Sequence, residues 1–269
     1  MTPHAPATLR WFVADTWTVT RRTLHHWARR PGLFAFGLAF PVFTLAMFGY
    51  LFGGAMTVPG GGDYMEFLVP GVLGLSVLFG IEATVLAVTN DAAKGITDRF
   101  RSLPMSGAAV VGGRCAADMI NAGLGLGALV AAGLAVGWRW HDAGGRTVAA
   151  LALLLLLRLA FVWVGVYLGL VLKTPEAAVV VQIVVWPLGF VSSGFTSPER
   201  MPGWLGAVAE WNPVSSTITA TRDLFGNPGV AQDGSWVATN AQLMAVVWPL
   251  VLVAVFLPLA VRRYRGLGR

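Results

Sequence analysis

Residues 147–172 form a run of 26 broken by a single charge, Arg158. A helix needs roughly 20 mostly apolar residues to cross the hydrocarbon of a bilayer, and this run exceeds that length. Five further stretches read the same way: 32–52, 68–90, 115–137, 177–195 and 241–261. Three of these carry no charge, while 68–90 carries Glu82 and 115–137 carries Asp118. Backbone in lipid must satisfy its own hydrogen bonds, so runs of this kind become helices. Only 12% of the 269 residues are charged and mean hydropathy is +0.68, against about a quarter charged in soluble domains. The expectation is an all-α integral membrane protein with six transmembrane helices.

Lys and Arg divide unevenly between the two sets of loops. Arg10, Arg21, Arg22, Arg29 and Arg30 precede the first run, and Lys94, Arg99, Arg101 and Arg114 lie between the second and third. Lys173 follows the fourth run, and Arg262, Arg263, Arg265 and Arg269 follow the sixth. These 14 of the 19 basic residues share one side, whereas Arg139, Arg146, Arg200 and Arg222 fall on the other. Short loops rich in Lys and Arg stay in the cytoplasm. Both ends of the chain are therefore expected there, in a multi-pass cell-membrane protein. This topology accounts for the pI near 10.2, so membrane lipids are expected as partners and nucleic acid is not.

Cys115 is the single cysteine, which excludes an internal disulfide and a cysteine-based metal site. His4, His25, His26 and His141 lie outside the apolar runs, and no metal site is expected. The first 30 residues are polar and basic, without the apolar stretch of a cleavable signal. Residues 8–28 read as a helix lying along the membrane surface, with Leu9, Phe12, Val13, Thr16, Thr20, Leu24 and Trp27 on one face. A plain solvated arm is the other reading. In the third run, Gly123/Gly127 and Gly133/Gly137 have the spacing that lets helices approach closely, within one chain or between two.

Two helix-start signals follow the fifth run. Ser197-Pro198 and Asn212-Pro213 each pair a capping side chain with proline at the first helical position. With Trp204, Leu205, Val208, Trp211 and Val214 between and after them, they predict two short re-entrant helices on the exterior side, the second carrying Arg222.

Between the second and third runs stands KGITDRFRSLPMS, residues 94–106. Ile96, Phe100 and Leu103 recur at helical spacing, Lys94, Asp98, Arg99 and Arg101 occupy other faces, and Pro104 ends the pattern. A hairpin needs only a few residues. This one is a short amphipathic, basic helix suited to another protein's groove or to anionic headgroups. The segment resembles the motif between spans two and three of ABC-2 type transporter permeases, close to the membrane subunits of daunorubicin-type drug-resistance exporters. SPERMPGWLGAVAEWNPVSSTITATRDLF, residues 197–225, resembles the same family's region before its last span.

The resemblance implies a cytoplasmic arm at 1–30, an ABC transmembrane type-2 domain at 31–266 and a tail at 267–269. It implies a permease subunit that exports a hydrophobic or amphipathic small molecule, paired with a second permease copy and driven by two ATPase subunits. Lys94, Ile96, Asp98, Arg99, Phe100, Arg101, Leu103 and Pro104 would then form a coupling helix against the ATPase, which would hold ATP and Mg. Neither lysine lies in a phosphate-binding Gly-rich loop: Lys94 precedes Gly95 and Lys173 sits in Leu-Lys-Thr. No catalytic site of its own is expected in the chain.

The charges within the runs must face protein or water, because each costs ~3 kcal/mol or more when unpaired in hydrocarbon. Arg114 and Asp118, one turn apart, are expected to pair. Glu82 and Arg158 are expected to form a buried structural pair; contact of Glu82 with cationic cargo and proton coupling are the other readings. Trp186, beside the helix-kinking Pro187, Phe190 and Phe195 offer aromatic surface that Phe79 could share, as a cargo path or as core. Within the resemblance, a lipid or lipid-linked glycan is the alternative cargo. Outside it stand an ion- or proton-coupled carrier, disfavoured by the absence of a visible repeat, and an intramembrane enzyme, for which neither membrane histidines nor a Gly-x-Ser-x-Gly elbow are present.

Overall fold

A computed structural model describes residues 9–29, 31–53, 58, 61–96, 107–142, 144–174, 176–230 and 234–266. The described elements are all helical: α1 (Leu9–Ala28), α2 (Pro31–Phe52), α3 (Tyr64–Ala93), α4 (Gly107–Ala135), α5 (Gly144–Leu172), α6 (Ala177–Phe190), a 3-10 turn (Pro198–Arg200), α7 (Gly203–Trp211), α8 (Pro213–Phe225), α9 (Trp236–Thr239) and α10 (Ala241–Gly266). Four of them, α3, α4, α5 and α10, are long and apolar enough to cross a bilayer. Shorter apolar stretches lie at Gly37–Leu51 in α2 and Ala178–Phe190 in α6.

The six-span expectation changes most at the fifth run. Helix α6 has 14 residues, about 21 Å at 1.5 Å per residue, short of a ~30 Å hydrocarbon core. It ends because Ser192 Oγ donates back to the Gly189 carbonyl at 2.6 Å and accepts from the Gly194 amide at 3.2 Å. Such hydroxyls offer the backbone an alternative to the helical ladder. The chain then turns through 191–197 instead of continuing to Phe195.

Helix α3 is the central element. It is apolar on all sides and buried along most of its length, from Phe67, Leu68 and Val69 to Val85 and Val88. Its closest neighbour is α5, and the approach is made by Gly165 and Gly169. A Cβ on Gly165 would stand 2.9 Å from Thr84 Cβ, and one on Gly169 2.7 Å from Val88 Cβ. The glycines singled out on α4 behave differently. Gly133 packs against Val69 and Trp138, Gly137 ends the helix at φ +100°, and Gly123 and Gly127 have no neighbour within 4 Å.

Helix α1 packs on the start of α4, where Val19 and Thr20 are buried and Thr20 Oγ1 donates to the Gly113 carbonyl at 3.0 Å. Phe12 and Thr16 share that face, beside Gly112. Val13, expected there, is exposed with Trp11 and Trp17. The reason is a slightly rotated seam that follows Thr16, Val19 and Thr20. At the opposite end of the bundle, Asn212 caps α8 by accepting from the Val214 amide at 2.9 Å, with Pro213 at the first position. Gly226, at φ +69°, closes α8 in the left-handed region. Ser197-Pro198 opens only the 3-10 turn, and α7 begins at Gly203.

A Cβ on Gly71 of α3 would collide with the Gly194 carbonyl oxygen. Gly71→Ala is therefore expected to cost about 1–3 kcal/mol, read as a lower melting temperature in detergent. Gly123→Ala, which meets nothing, should leave the melting temperature unchanged. Equal behaviour of the two would show that the α3–turn contact relaxes freely.

Candidate functional site

A cavity of about 240 Å³ opens between α2, α3, α6 and the 191–197 turn. Helix α2 contributes Phe40, Phe43, Thr44, Met47 and Phe48; α3 contributes Val72, Leu75, Ser76 and Phe79. Trp186, Phe190 and Phe195 complete the wall. The rings touch one another. Trp186 lies 5.1 Å from Phe79 and 5.3 Å from Phe40, and Phe195 stacks on Phe48 at 4.5 Å and on Phe190 at 5.7 Å. Four of the residues expected along a cargo path, Phe79, Trp186, Phe190 and Phe195, thus share one wall. The α2 aromatics were not legible, because a helix apolar all round shows no period to say which face is lined. Phe43 and Phe190 are 62% and 51% exposed, so the cavity is open on the side away from α3.

Glu82 lies one turn beyond Phe79 on α3 and faces Trp186. Its Oε1 is buried beside Trp186, and neither that oxygen nor Trp186 Nε1 has another polar partner among the described residues. A buried carboxylate oxygen with so little polar support is costly, and this one stands beside Trp186, which lines the aromatic cavity.

Arg158 does not turn to Glu82. Its Nη2 donates to Thr84 Oγ1 at 3.0 Å, and Thr84 lies 3.0 Å from Asp118 Oδ2. The guanidinium rests over Gly80, where any side chain would strike it. Arg114 Nε stands 3.8 Å from Asp118 Oδ1, and Arg114 Nη1 donates to Asp91 Oδ2 at 2.6 Å. A chain of polar groups therefore runs Arg158–Thr84–Asp118–Arg114–Asp91 across α3, α4 and α5. The expected Glu82–Arg158 pair is replaced because Thr84, a residue without charge and without a sequence signal, supplies the bridge. Asp91 and Lys94 close α3 at the end of the bundle that also carries α1. Lys94 is exposed and Ile96 half-buried, while Asp98, Arg99, Phe100, Arg101, Leu103 and Pro104 lie outside the described residues.

At the other end, Arg222 is fully buried. Its Nε donates to the Phe67 carbonyl at 3.0 Å, its Nη2 to the Gly194 carbonyl at 3.3 Å, and its Cζ lies 3.6 Å from the centroid of the Phe67 ring. Burial pulls the guanidinium down to about 9, which leaves it protonated at neutral pH. Asn212 donates to the carbonyls of Leu188 and Val191, each at 2.8 Å. Trp204 and Trp211 are exposed on one face of α7.

Residues 14–225 match the ABC-2 type transporter family. The chain belongs to this family. It is also 35% identical over 228 residues to a daunorubicin resistance ABC transporter permease protein, DrrB1, of Streptomyces coeruleorubidus, covering 84% of this chain and 77% of that one. The resemblance of the two quoted segments is thereby confirmed at the level of the family, and the permease is a multi-pass membrane protein homologous to a drug-resistance permease.

Arg158→Met removes one end of the polar chain: the Thr84 hydroxyl loses its donor, and Asp118 keeps Thr84 and Arg114 but loses the nearby buried positive charge. A loss of about 3 kcal/mol is expected, seen as a lower melting temperature with unchanged cargo preference. A stable variant with altered cargo preference would instead place Arg158 in the transport path.

Proposed function

We propose that the permease is the membrane subunit of an ABC exporter. It moves a planar, largely apolar small molecule out of the cell, on ATP hydrolysed with Mg by two separate ATPase subunits. The observation that carries this reading is the aromatic cavity between α2, α3 and α6, with Glu82 one turn beyond Phe79 and beside Trp186 of its wall. Flat aromatic cargo stacks on such rings, and a protonated amine on the cargo would complete the hydrogen bonding of Glu82. Thr44 and Ser76 supply the hydroxyls of the wall, a poor lining for a glycan. At about 240 Å³ the cavity is smaller than the roughly 300–1,000 Å³ of drug-sized sites. A second permease copy against the open side would complete it.

In this reading the end of the bundle holding α1 and Lys94 faces the cytoplasm, with the chain termini. Residues 94–104 dock on the ATPase: Arg99 and Arg101 meet acidic or carbonyl groups, Phe100 and Leu103 provide the apolar grip, and Pro104 sets the exit from the helix. The polar chain from Asp91 to Arg158 joins that end to α3, one wall of the cavity.

Two experiments test the reading. The permease is co-expressed with its ATPase and assayed in inverted vesicles for ATP-dependent uptake of daunorubicin, the compound in the relative's name. Arg99→Ala/Phe100→Ala should lose co-purification of the ATPase and at least tenfold of the uptake, with the permease still folded; full uptake by this variant would remove the coupling assignment. Glu82→Gln should raise KM for daunorubicin about tenfold or more, the worth of a charge-assisted hydrogen bond, and leave KM for its uncharged N-acetyl derivative unchanged. Equal effects on both compounds would make Glu82 a packing residue.

A further inference from the structure

The turn 191–197 is held by α8 through polar contacts rather than interdigitated apolar side chains. Asn212 takes the carbonyls of Leu188 and Val191. The Ser193 amide donates to Ser215 Oγ at 3.0 Å, Ser193 Oγ donates to the Ser215 carbonyl at 3.3 Å, and Ser193 and Thr219 hydroxyls lie 3.5 Å apart. Arg222 takes the Gly194 carbonyl and, with its other arm, the Phe67 carbonyl of α3. It thereby pins turn, α8 and α3 at one point, where Gly71 lets the turn backbone lie directly on α3.

Two features make this arrangement releasable. Polar contacts can be exchanged for water with little net change in hydrogen bonding, whereas an apolar core cannot be opened so cheaply. Behind the turn lies a pocket of about 20 Å³ lined by Ser193, Ser197, Ser216, Thr219, Glu210 and Arg222. It has room for about one water molecule, and Ser216 Oγ and Arg222 Nη1 are buried there without protein partners. The residue that follows Gly194 is Phe195, whose ring closes the cavity by stacking on Phe48 and Phe190.

We propose that the turn 191–197 is the gate of the cavity at its α8 end, with Phe195 as the door and Arg222 as the positioning residue that latches it to α3 and α8. The proposal rests on the cavity being the cargo site. Cargo leaves when the Gly194 carbonyl parts from Arg222 and Ser193 parts from α8, withdrawing Phe195 from Phe48.

The test is a Ser193→Cys/Thr219→Cys variant of the full permease–ATPase complex; the single native cysteine, Cys115, is buried. Oxidation should join turn to α8 and lower daunorubicin uptake at least tenfold, with reduction restoring it and with daunorubicin still bound by the oxidised form. An oxidised, mass-verified disulfide that transports at the wild-type rate overturns the gate. Cargo-independent evidence comes from Ser193→Cys alone, labelled with a thiol reagent against a wild-type background. Labelling should rise severalfold during ATP turnover, and adding Arg222→Gln should raise it without ATP. Labelling that stays at the resting level in both overturns the gate, whereas absent daunorubicin uptake by the wild-type complex with normal labelling changes indicts the choice of cargo.

Discussion

Helix α3 is approached at backbone distance on two sides, and both approaches depend on glycine. Gly165 and Gly169 of α5 seat on Thr84 and Val88, and Gly71 seats on the Gly194 carbonyl. In a lipid environment no hydrophobic drive holds helices together, so close van der Waals contact and interhelical hydrogen bonds carry the association. The glycine contacts bring Thr84 within reach of both Arg158 and Asp118, and bring Gly194 within reach of Arg222. The cavity wall, the polar chain and the clasp on the turn all take their positions from α3.

This arrangement places unlike tasks on one helix. The half of α3 near α8 lines the cavity through Val72, Leu75, Ser76 and Phe79, while its far end, Thr84 to Asp91, belongs to the charge chain leading toward α1 and Lys94. Glu82 stands between the two. A shift of α3 by a fraction of a turn alters wall and chain together, because close-packed interiors transmit displacement rather than absorb it.

The charged residues illustrate how far one-dimensional reading reaches. Arg114 and Asp118 were findable because one helical turn separates them, and the structure sets them 3.8 Å apart. Arg158 takes a partner that its sequence position does not announce: its charge calls for company, but the acceptor it finds is a threonine hydroxyl already engaged with Asp118. Similarly, Gly123/Gly127 carry the familiar spacing and meet no neighbour within the chain, while the α3–α5 contact is made by Gly165/Gly169, in the longest run. Spacing shows that a close approach is possible; only the neighbour decides whether it happens.

The sequence by itself determined the helical membrane character, the positions of the long apolar elements, the Asn212-Pro213 start of α8 and, through two segments, the family. These follow from local chemistry: apolar length against bilayer thickness, caps against free amides, and residue order. Only the tertiary structure decided that the fifth run stops at Phe190 and turns, that α2 supplies three of the seven aromatic rings of the wall, and that Arg222 reaches two carbonyls from separate elements. The reason is physical. A helix apolar on every side has no periodicity to report its orientation, and a buried cation's partners are fixed by packing over 28 and 155 residues of chain separation.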